Sequence, residues 1–218
     1  MTVLTGRRGW CKALMFAGIG LVPAYSFLHG ESVRGTVLPA GLQLSDTGLR
    51  SGDLVFRRTR SLEGRVVQRF EPQTEFTHVG IVWMDVAGAS VVHATPDPTG
   101  AWPEGGVVRE PLAAFLSTHG IEAASVFRWT DADDLQARDM AAKALAWVNR
   151  PFDLSFESEK PIGFHCTELV WHAVSSLGVR DTPLLLRIKG LPSGLQVLTL
   201  EVLIESLNLD RIKDAKAE

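Results

Sequence analysis

The stretch Phe164-His165-Cys166-Thr167-Glu168-Leu169-Val170-Trp171 holds the only cysteine in the body of the chain, and it reads as a turn leading into a helix. Leu169, Val170, Ala173, Val174 and Leu177 recur at helical spacing, and Gly178 follows as a stop signal. A thiol at the start of such a helix meets first-turn N–H groups and the positive end of the dipole, which favour thiolate over thiol. Free cysteine is also among the most buried residue types. The residue alone therefore allows a packing role as well as a nucleophile.

The chain around it has 218 residues, 45% of them hydrophobic, which suits one globular domain with a substantial core. A formal net charge of -3 leaves no basic stripe for a phosphate backbone, so nucleic acid is not an expected partner. Cys11, the second cysteine, lies in a targeting-like segment, and no structural disulfide is expected. Residues 1–30 read as a signal peptide or membrane anchor. Arg7, Arg8 and Lys12 precede an uncharged apolar run from Ala13 to Leu28, with no small-x-small cleavage site after it. A buried N-terminal helix is the alternative, since the run is short for a span. With its basic residues first, the segment would place the remainder outside the cytoplasm. The expectation is an exported, periplasmic or envelope protein, or one membrane-associated through residues 13–28.

The domain proper is expected over residues 42–210. Ser51-Gly52-Asp53 is a turn, and Leu54-Val55-Phe56 is a short strand followed by the basic cluster Arg57, Arg58 and Arg60. Leu62, Val66, Val67 and Phe70 fall on one helical face. Phe76 to Met84 is rich in β-branched and aromatic residues and reads as a buried strand. A turn over 85–88 returns the chain along Ser90 to Thr95. Val107 to Glu110 and Ala124 to Trp129 are further strands, with a short helix over Pro111 to Ser117 between them. A helix runs from about Asp133 to Val148, capped by Asp131 or Asp133 and closed before Pro151. The tail reads as a last helix, Leu195 to Leu207, followed by a frayed charged end, Asp210 to Glu218.

A cysteine nucleophile needs a base, and six histidines occur. His29 falls in the targeting segment, His119 in a turn beside Gly120, and His172 inside a helix. His78 opens one strand and His93 lies near the end of the next. A hairpin centred on residues 85–88 brings those two imidazoles together at one end of the sheet. Each is also an ordinary half-buried strand residue if nothing stands opposite. If the Cys166 helix starts over that end, His78 can take the thiol proton while His93 orients its ring. Zinc is not expected: His78, His93 and Cys166 would be three ligands without a short-spaced pair. There is no phosphate-cradling glycine loop either, and no cofactor is expected.

Gly52-Asp53-Leu54-Val55-Phe56, Thr77-His78-Val79-Gly80-Ile81-Val82, Val92-His93-Ala94, Pro151-Phe152-Asp153 and Phe164-His165-Cys166-Thr167-Glu168-Leu169-Val170-Trp171 occur in that order. Together they resemble the motifs of the permuted papain-like amidases of the NlpC superfamily, in the YaeF/YiiX group, which is related to lecithin retinol acyltransferase. The likeness runs from about residue 50 to 178, and histidine before cysteine is the permuted order. The resemblance implies an α+β, circularly permuted papain-like fold, with an antiparallel sheet packed against the helix that carries the cysteine at its N-terminus. It implies Cys166 as nucleophile, His78 as general base and His93 as the third polar residue. The backbone N–H of Cys166, helped by His165, would form the oxyanion site. His165 and Phe152 stand where the group often has tyrosine, which bears on the substrate. Asp53 is expected to tie down its loop rather than to catalyse.

The implied activity is acyl transfer through a thioester. The expected substrate is an amide-bearing cell-envelope peptide of the peptidoglycan type. A lipid amidase or acyltransferase is the alternative, with Trp83, Trp102 and Trp171 as possible groove residues; core packing suits Trp83 and Trp171 better. A non-catalytic binding domain on the same scaffold is the third reading.

Overall fold

Strand β2 (Leu54–Thr59) lies at the middle of the sheet, and the rest of the fold is built outward from it. The computed structural model describes residues 41–96, 105–153, 163–178 and 198–217. The apolar run over 13–28, Trp102 and residues 154–162 lie outside them, and with them the signal-or-anchor reading. Among the described residues no helix is long and apolar enough to cross a membrane.

The elements follow as β1 (Leu42–Gln43), β2, α1 (Leu62–Phe70), β3 (His78–Asp85), β4 (Gly88–Thr95), β5 (Gly106–Pro111), α2 (Leu112–Leu116), β6 (Ile121–Trp129), α3 (Asp134–Ala146), α4 (Cys166–Ser175), α5 (Leu200–Ser206), β7 (Leu209–Asp214) and β8 (Lys216–Ala217). Six strands form one antiparallel sheet in the order β5-β4-β3-β2-β6-β7, and β1 pairs with β8 separately. The expected α+β class and the sheet-on-helix arrangement are thus present.

Side chains alternate across the sheet with the period of two that a pleated strand imposes. Leu54, Phe56, Val79, Ile81, Val92 and Ala94 face one core, which α3, α4 and α5 cover with Met140, Ala141, Leu169, Val170, Val174 and Leu203. Phe56, Phe76 and Phe127 stack there with ring centroids 4.9 to 5.8 Å apart. Val55, Val82, Val91 and Val126 face the second, smaller core with Leu112, Phe115 and Leu116 of α2. Trp83 and Trp171 pack into the first core, as expected of them.

Local signals set the helix ends. Asp133 accepts from Gln136 N–H at 2.8 Å while the Gln136 side chain accepts from Asp133 N–H at 3.0 Å, a reciprocal cap that starts α3. Asn149, at φ 75°, turns the chain out of that helix before Pro151. Asp53 ties its loop as expected: it is buried, accepts from Arg50 N–H at 2.9 Å, and receives Arg128 at 2.7 and 2.8 Å.

Gly52 is required where β2 meets α3. Its φ is +94°, and a Cβ there would lie 2.3 Å from the Ala137 carbonyl oxygen. Gly52→Ala combines left-handed strain with overpacking, and should destabilise the fold by about 3 kcal/mol or more. Urea unfolding of the two proteins measures it; a loss under about 1 kcal/mol would mean that α3 can move aside at little cost.

The tail departs from expectation. Asp210 onward is not frayed: Leu209–Asp214 is the edge strand β7 on β6, and Lys216–Ala217 closes on Leu42–Gln43, so the domain continues past 210. Arg211 supplies the reason. Its guanidinium lies 5.5 Å over the Phe76 ring and 5.8 Å over Phe127, and it donates to Glu75, Ser125 and Asp214. A charged edge strand of this kind also discourages pairing with other chains. The last helix is shorter than expected, Leu200–Ser206, with Thr199 accepting from Val202 N–H at 3.3 Å.

Candidate active site

The register of the β3/β4 hairpin pairs Ile81 with Val92, which sets His93 opposite Gly80 and diagonal to His78 on the same face. Both rings are buried, His78 to 1% and His93 to 2% exposure. Water is therefore not at hand to complete their hydrogen bonds, and protein groups must. His78 Nε2 and His93 Nδ1 are 2.9 Å apart, with ring planes at 88°. Gly80 makes this approach possible, because a Cβ there would sit 2.4 Å from Val91 Cγ1 and 3.0 Å from His93 Cβ.

The chain of contacts continues to β5. His93 Nε2 lies 2.8 Å from Glu110 Oε1. Beneath both imidazoles lies Phe115 of α2, with centroids at 5.9 and 5.1 Å. Arg57, the cross-strand partner of His78 on β2, is stacked 4.0 Å from the centroid of the same ring. Its Nη1 donates to the Phe115 carbonyl at 2.8 Å and to Thr118 Oγ1 at 2.7 Å.

The charges in this chain determine where its protons lie. Burial pushes the His93 pKa down to about 4, and the Glu110 bond only partly opposes that. Burial alone would raise the Glu110 carboxyl, yet the His93 hydrogen bond and nearby positive charge hold it below its usual value. Near neutrality Glu110 is a carboxylate and can only accept, so the His93 proton sits on Nε2. His93 Nδ1 is then an acceptor, and His78 must donate to it from Nε2. The lone pair of His78 falls on Nδ1, which is the nitrogen able to act as base.

Cys166 forms no disulfide among the described residues, is half-buried, and is the first residue of α4. Its place follows from the backbone. Thr95 pairs with Gly106, Gly106 bridges to Pro151, and Phe152 bridges to Phe164, so the approach to α4 lies at the end of the sheet where β4 finishes and His78 begins β3. Phe164 is buried against Trp147 at 5.0 Å, which fixes that approach. Helix α4 packs on both β3 and β4. The imidazoles rest on the α2 side of the sheet and the body of α4 covers the other, so the thiol and the imidazoles share the sheet end rather than a face.

His165 is buried and stands directly before α4. Its Nδ1 is 3.0 Å from Thr167 Oγ1, whose own proton goes to the Leu198 carbonyl at 2.7 Å, and its Nε2 is 3.1 Å from Glu168 Oε1. The Glu168 carboxylate also receives His165 N–H at 3.2 Å. The ring thus lies beside the first turn of α4, tied to it through Nδ1. The N–H of Cys166 belongs to the first-turn amides that a helix leaves without internal acceptors. His119 lies in its turn at the start of β6, and His172 is half-buried 5.5 Å from the Phe164 ring, where burial lowers its pKa.

Sequence reading alone does not assign a role to Glu110 or Arg57. A signal for Glu110 exists in the register: Val108 pairs with His93, so the acid two residues later faces the same side.

An antiparallel sheet packed on a helix begun by a cysteine, with a histidine pair earlier in the chain, is the arrangement of a permuted papain-like fold. Residues 48–188 match the family model described as permuted papain-like amidase enzyme, YaeF/YiiX, C92 family, and the chain belongs to that family. Membership makes it a hydrolase of the amidase/peptidase class. Among solved structures it is similar to the crystal structure of the metalloprotein yiiX from Escherichia coli O157:H7. The TM-score is 0.60 at 18% identity over 78% of this chain and 98% of that one, a likeness of fold. No curated protein matches.

Proposed function

We propose that the protein is a cysteine amide hydrolase that works through a thioester on Cys166, and that its substrates are peptides of the cell envelope. The observation that carries this is the hydrogen-bonded chain Glu110–His93–His78, ending at the same end of the sheet as the thiol that opens α4. His78 Nδ1 takes the Cys166 proton as sulfur attacks the amide carbonyl, and the carbonyl oxygen gathers charge toward the Cys166 N–H. The same proton passes to the leaving amine as the C–N bond breaks. Water then gives a proton to His78 and attacks the thioester, which releases the acid and restores the thiol. His93 holds the His78 ring, and Glu110 fixes the tautomer of both.

No metal step enters this reading. Among the described residues no group of three or more His, Cys, Asp or Glu side chains is placed to hold a metal ion, and both His93 nitrogens are spent on His78 and Glu110.

The envelope substrate is supported by the export-like residues 1–30, which would carry the domain out of the cytoplasm or anchor it at the membrane facing outward. A lipid amidase or acyltransferase is the second reading, favoured by the imidazole at 93, where the acyltransferase relatives also carry histidine.

The test incubates the purified full chain with peptidoglycan-type peptides and with fatty-acyl amides and esters, beside Cys166→Ala. Hydrolysis of the peptides is expected, with activity lost by about 10⁴-fold or more in Cys166→Ala. Uncut peptides with hydrolysed lipids would replace the substrate, and an active Cys166→Ala protein would remove the mechanism. Iodoacetamide labelling of Cys166 no faster than that of a free thiol at neutral pH would favour the binding-domain reading instead.

A further inference from the structure

Arg57 is a buried cation on the imidazole side of the sheet, held by the Phe115 carbonyl, the Thr118 hydroxyl and the face of the Phe115 ring. A guanidinium is costly to bury and is found where it is tied down from several directions. Here its partner across the β2/β3 ladder is His78, and the ring it stacks on is the one that both imidazoles touch.

We propose that Arg57 is a positioning residue for the histidine pair: its guanidinium, clamped on the Phe115 ring that both imidazoles touch and paired across the ladder with His78, sets the electrostatic surroundings in which the pair takes up and returns a proton. The inference rests on the reading of His78 as the base for Cys166.

The groups that face the pair can be named element by element. From β2 comes Arg57, from β5 Glu110, and α2 (Leu112–Leu116) offers no charged side chain. From the first turn of α4, at the same end of the sheet, come Cys166, His165 and Glu168, the last two held against each other. Glu110 alone would favour an imidazolium on His93. Burial works against it first, and the Arg57 cation adds to that, as would a proton on His78, which brings His93 down to about 4. Arg57 also helps hold Glu110 ionised. A buried cation and a partly buried anion therefore flank two neutral rings, and the same residue that keeps Glu110 an acceptor discourages a resting proton on the base.

A His78 imidazolium formed beside Arg57 is a stronger acid than one beside a neutral side chain, so during turnover it returns its proton to the leaving amine more readily. At rest, His78 Nδ1 can take the thiol proton down to lower pH.

The experiment uses the full chain with isotope-labelled histidine. NMR titration of the ring nitrogens is run on wild type, Arg57→Met and Arg57→Lys, beside kcat/KM against pH. Arg57→Met should move the imidazole midpoints, and with them the acid limb, upward by about one pH unit. Arg57→Lys keeps the charge and should stay near wild type. A folded Arg57→Met protein with both readouts unmoved overturns the proposal, as does Arg57→Lys shifting as far as Arg57→Met. Should Arg57→Met fail to fold, Arg57→Gln takes its place, keeping a donor for the Phe115 carbonyl without the charge: imidazole midpoints moved upward support the proposal, and midpoints unmoved from wild type overturn it. The NMR readout needs no substrate. A chain that cleaves no amide would sink the hydrolase reading and leave the effect of Arg57 on the rings measurable.

Discussion

Replacing Glu110 by glutamine should lower kcat by about 10²-fold or more, with little change in KM and a retained fold. The expectation follows from the proton inventory of the buried chain. A carboxylate at 110 accepts only, so it holds the His93 proton on Nε2, and each ring passes that choice on until His78 presents a lone pair on Nδ1. An amide offers NH₂ as readily as oxygen. When the amide of the Glu110→Gln protein donates, His93 carries its proton on Nδ1, His78 must accept there through Nε2, and the proton of His78 moves to Nδ1, where the base should be. The negative charge that steadies a transient imidazolium is lost as well. An aspartate-to-asparagine change behind the catalytic histidine of a serine protease obeys the same logic, at about 10⁴-fold. Here two rings intervene between acid and base, so the smaller figure is expected. Kinetics on a peptide amide and ring-nitrogen spectra of the same samples check it together. Full activity in a variant with altered tautomers would break the link between Glu110 and the base.

Much of this site was legible in the sequence, for reasons that depend on range. His78 and His93 belong to strands joined by a turn over residues 85–88, so their proximity is a local matter of register. The helix at Cys166 is also local, with an apolar stripe from Leu169 to Leu177. Glu110 and Arg57 were harder because their partners lie on strands reached by longer connections. Arg57, Arg58 and Arg60 look alike in the sequence, yet the fold separates them: Arg57 points inward to Phe115, while Arg58 and Arg60 both reach Glu122 at the surface. His165 beside Cys166 reads as a substrate contact, and its Nδ1 contact to Thr167, two residues on, has no signal in the sequence. The tail misled through its charge density. Arg211 carries a charge and still covers Phe76 and Phe127, a use of the guanidinium face that hydropathy does not register.

Stability should respond to pH through two groups that pull in opposite directions, and Glu71→Gln should separate them. Glu71 is raised to about 8, by burial first and then by the hydrogen bond and charge of Glu201 on α5, with Leu200 N–H partly offsetting them. Its unfolded carboxyl ionises near 4.5, so between 4.5 and 8 the unfolded state has lost a proton that the folded state keeps. Stability from this group is present below 4.5 and drains away as pH rises to about 8, by about 2 kcal/mol once partial exposure is allowed for. His93 runs the other way. Its folded value is about 4 against an ordinary 6.5, so the unfolded state takes up a proton first as pH falls. Stability is lost from 6.5 down to about 4, by about 3 kcal/mol for a ring this fully buried. In wild type the two slopes oppose between 4.5 and 6.5 and flatten the profile there. Glu71→Gln keeps the shape of a neutral carboxyl and removes its titration. That variant should gain over wild type steadily from about pH 5 to about 8, and should expose the His93 slope, to which the lowered His172 adds in the same sense, as a continuous decline from 6.5 to about 4. Urea midpoints across about pH 4 to 8.5 read both effects. A difference between the two proteins that stays constant over that range would mean Glu71 ionises normally. The α5 end of this pair is tied to the nucleophile helix, since Thr167 donates to the Leu198 carbonyl two residues before Leu200. Ionising Glu71 beside Glu201 therefore loads the segment that supports the first turn of α4, directly after Cys166.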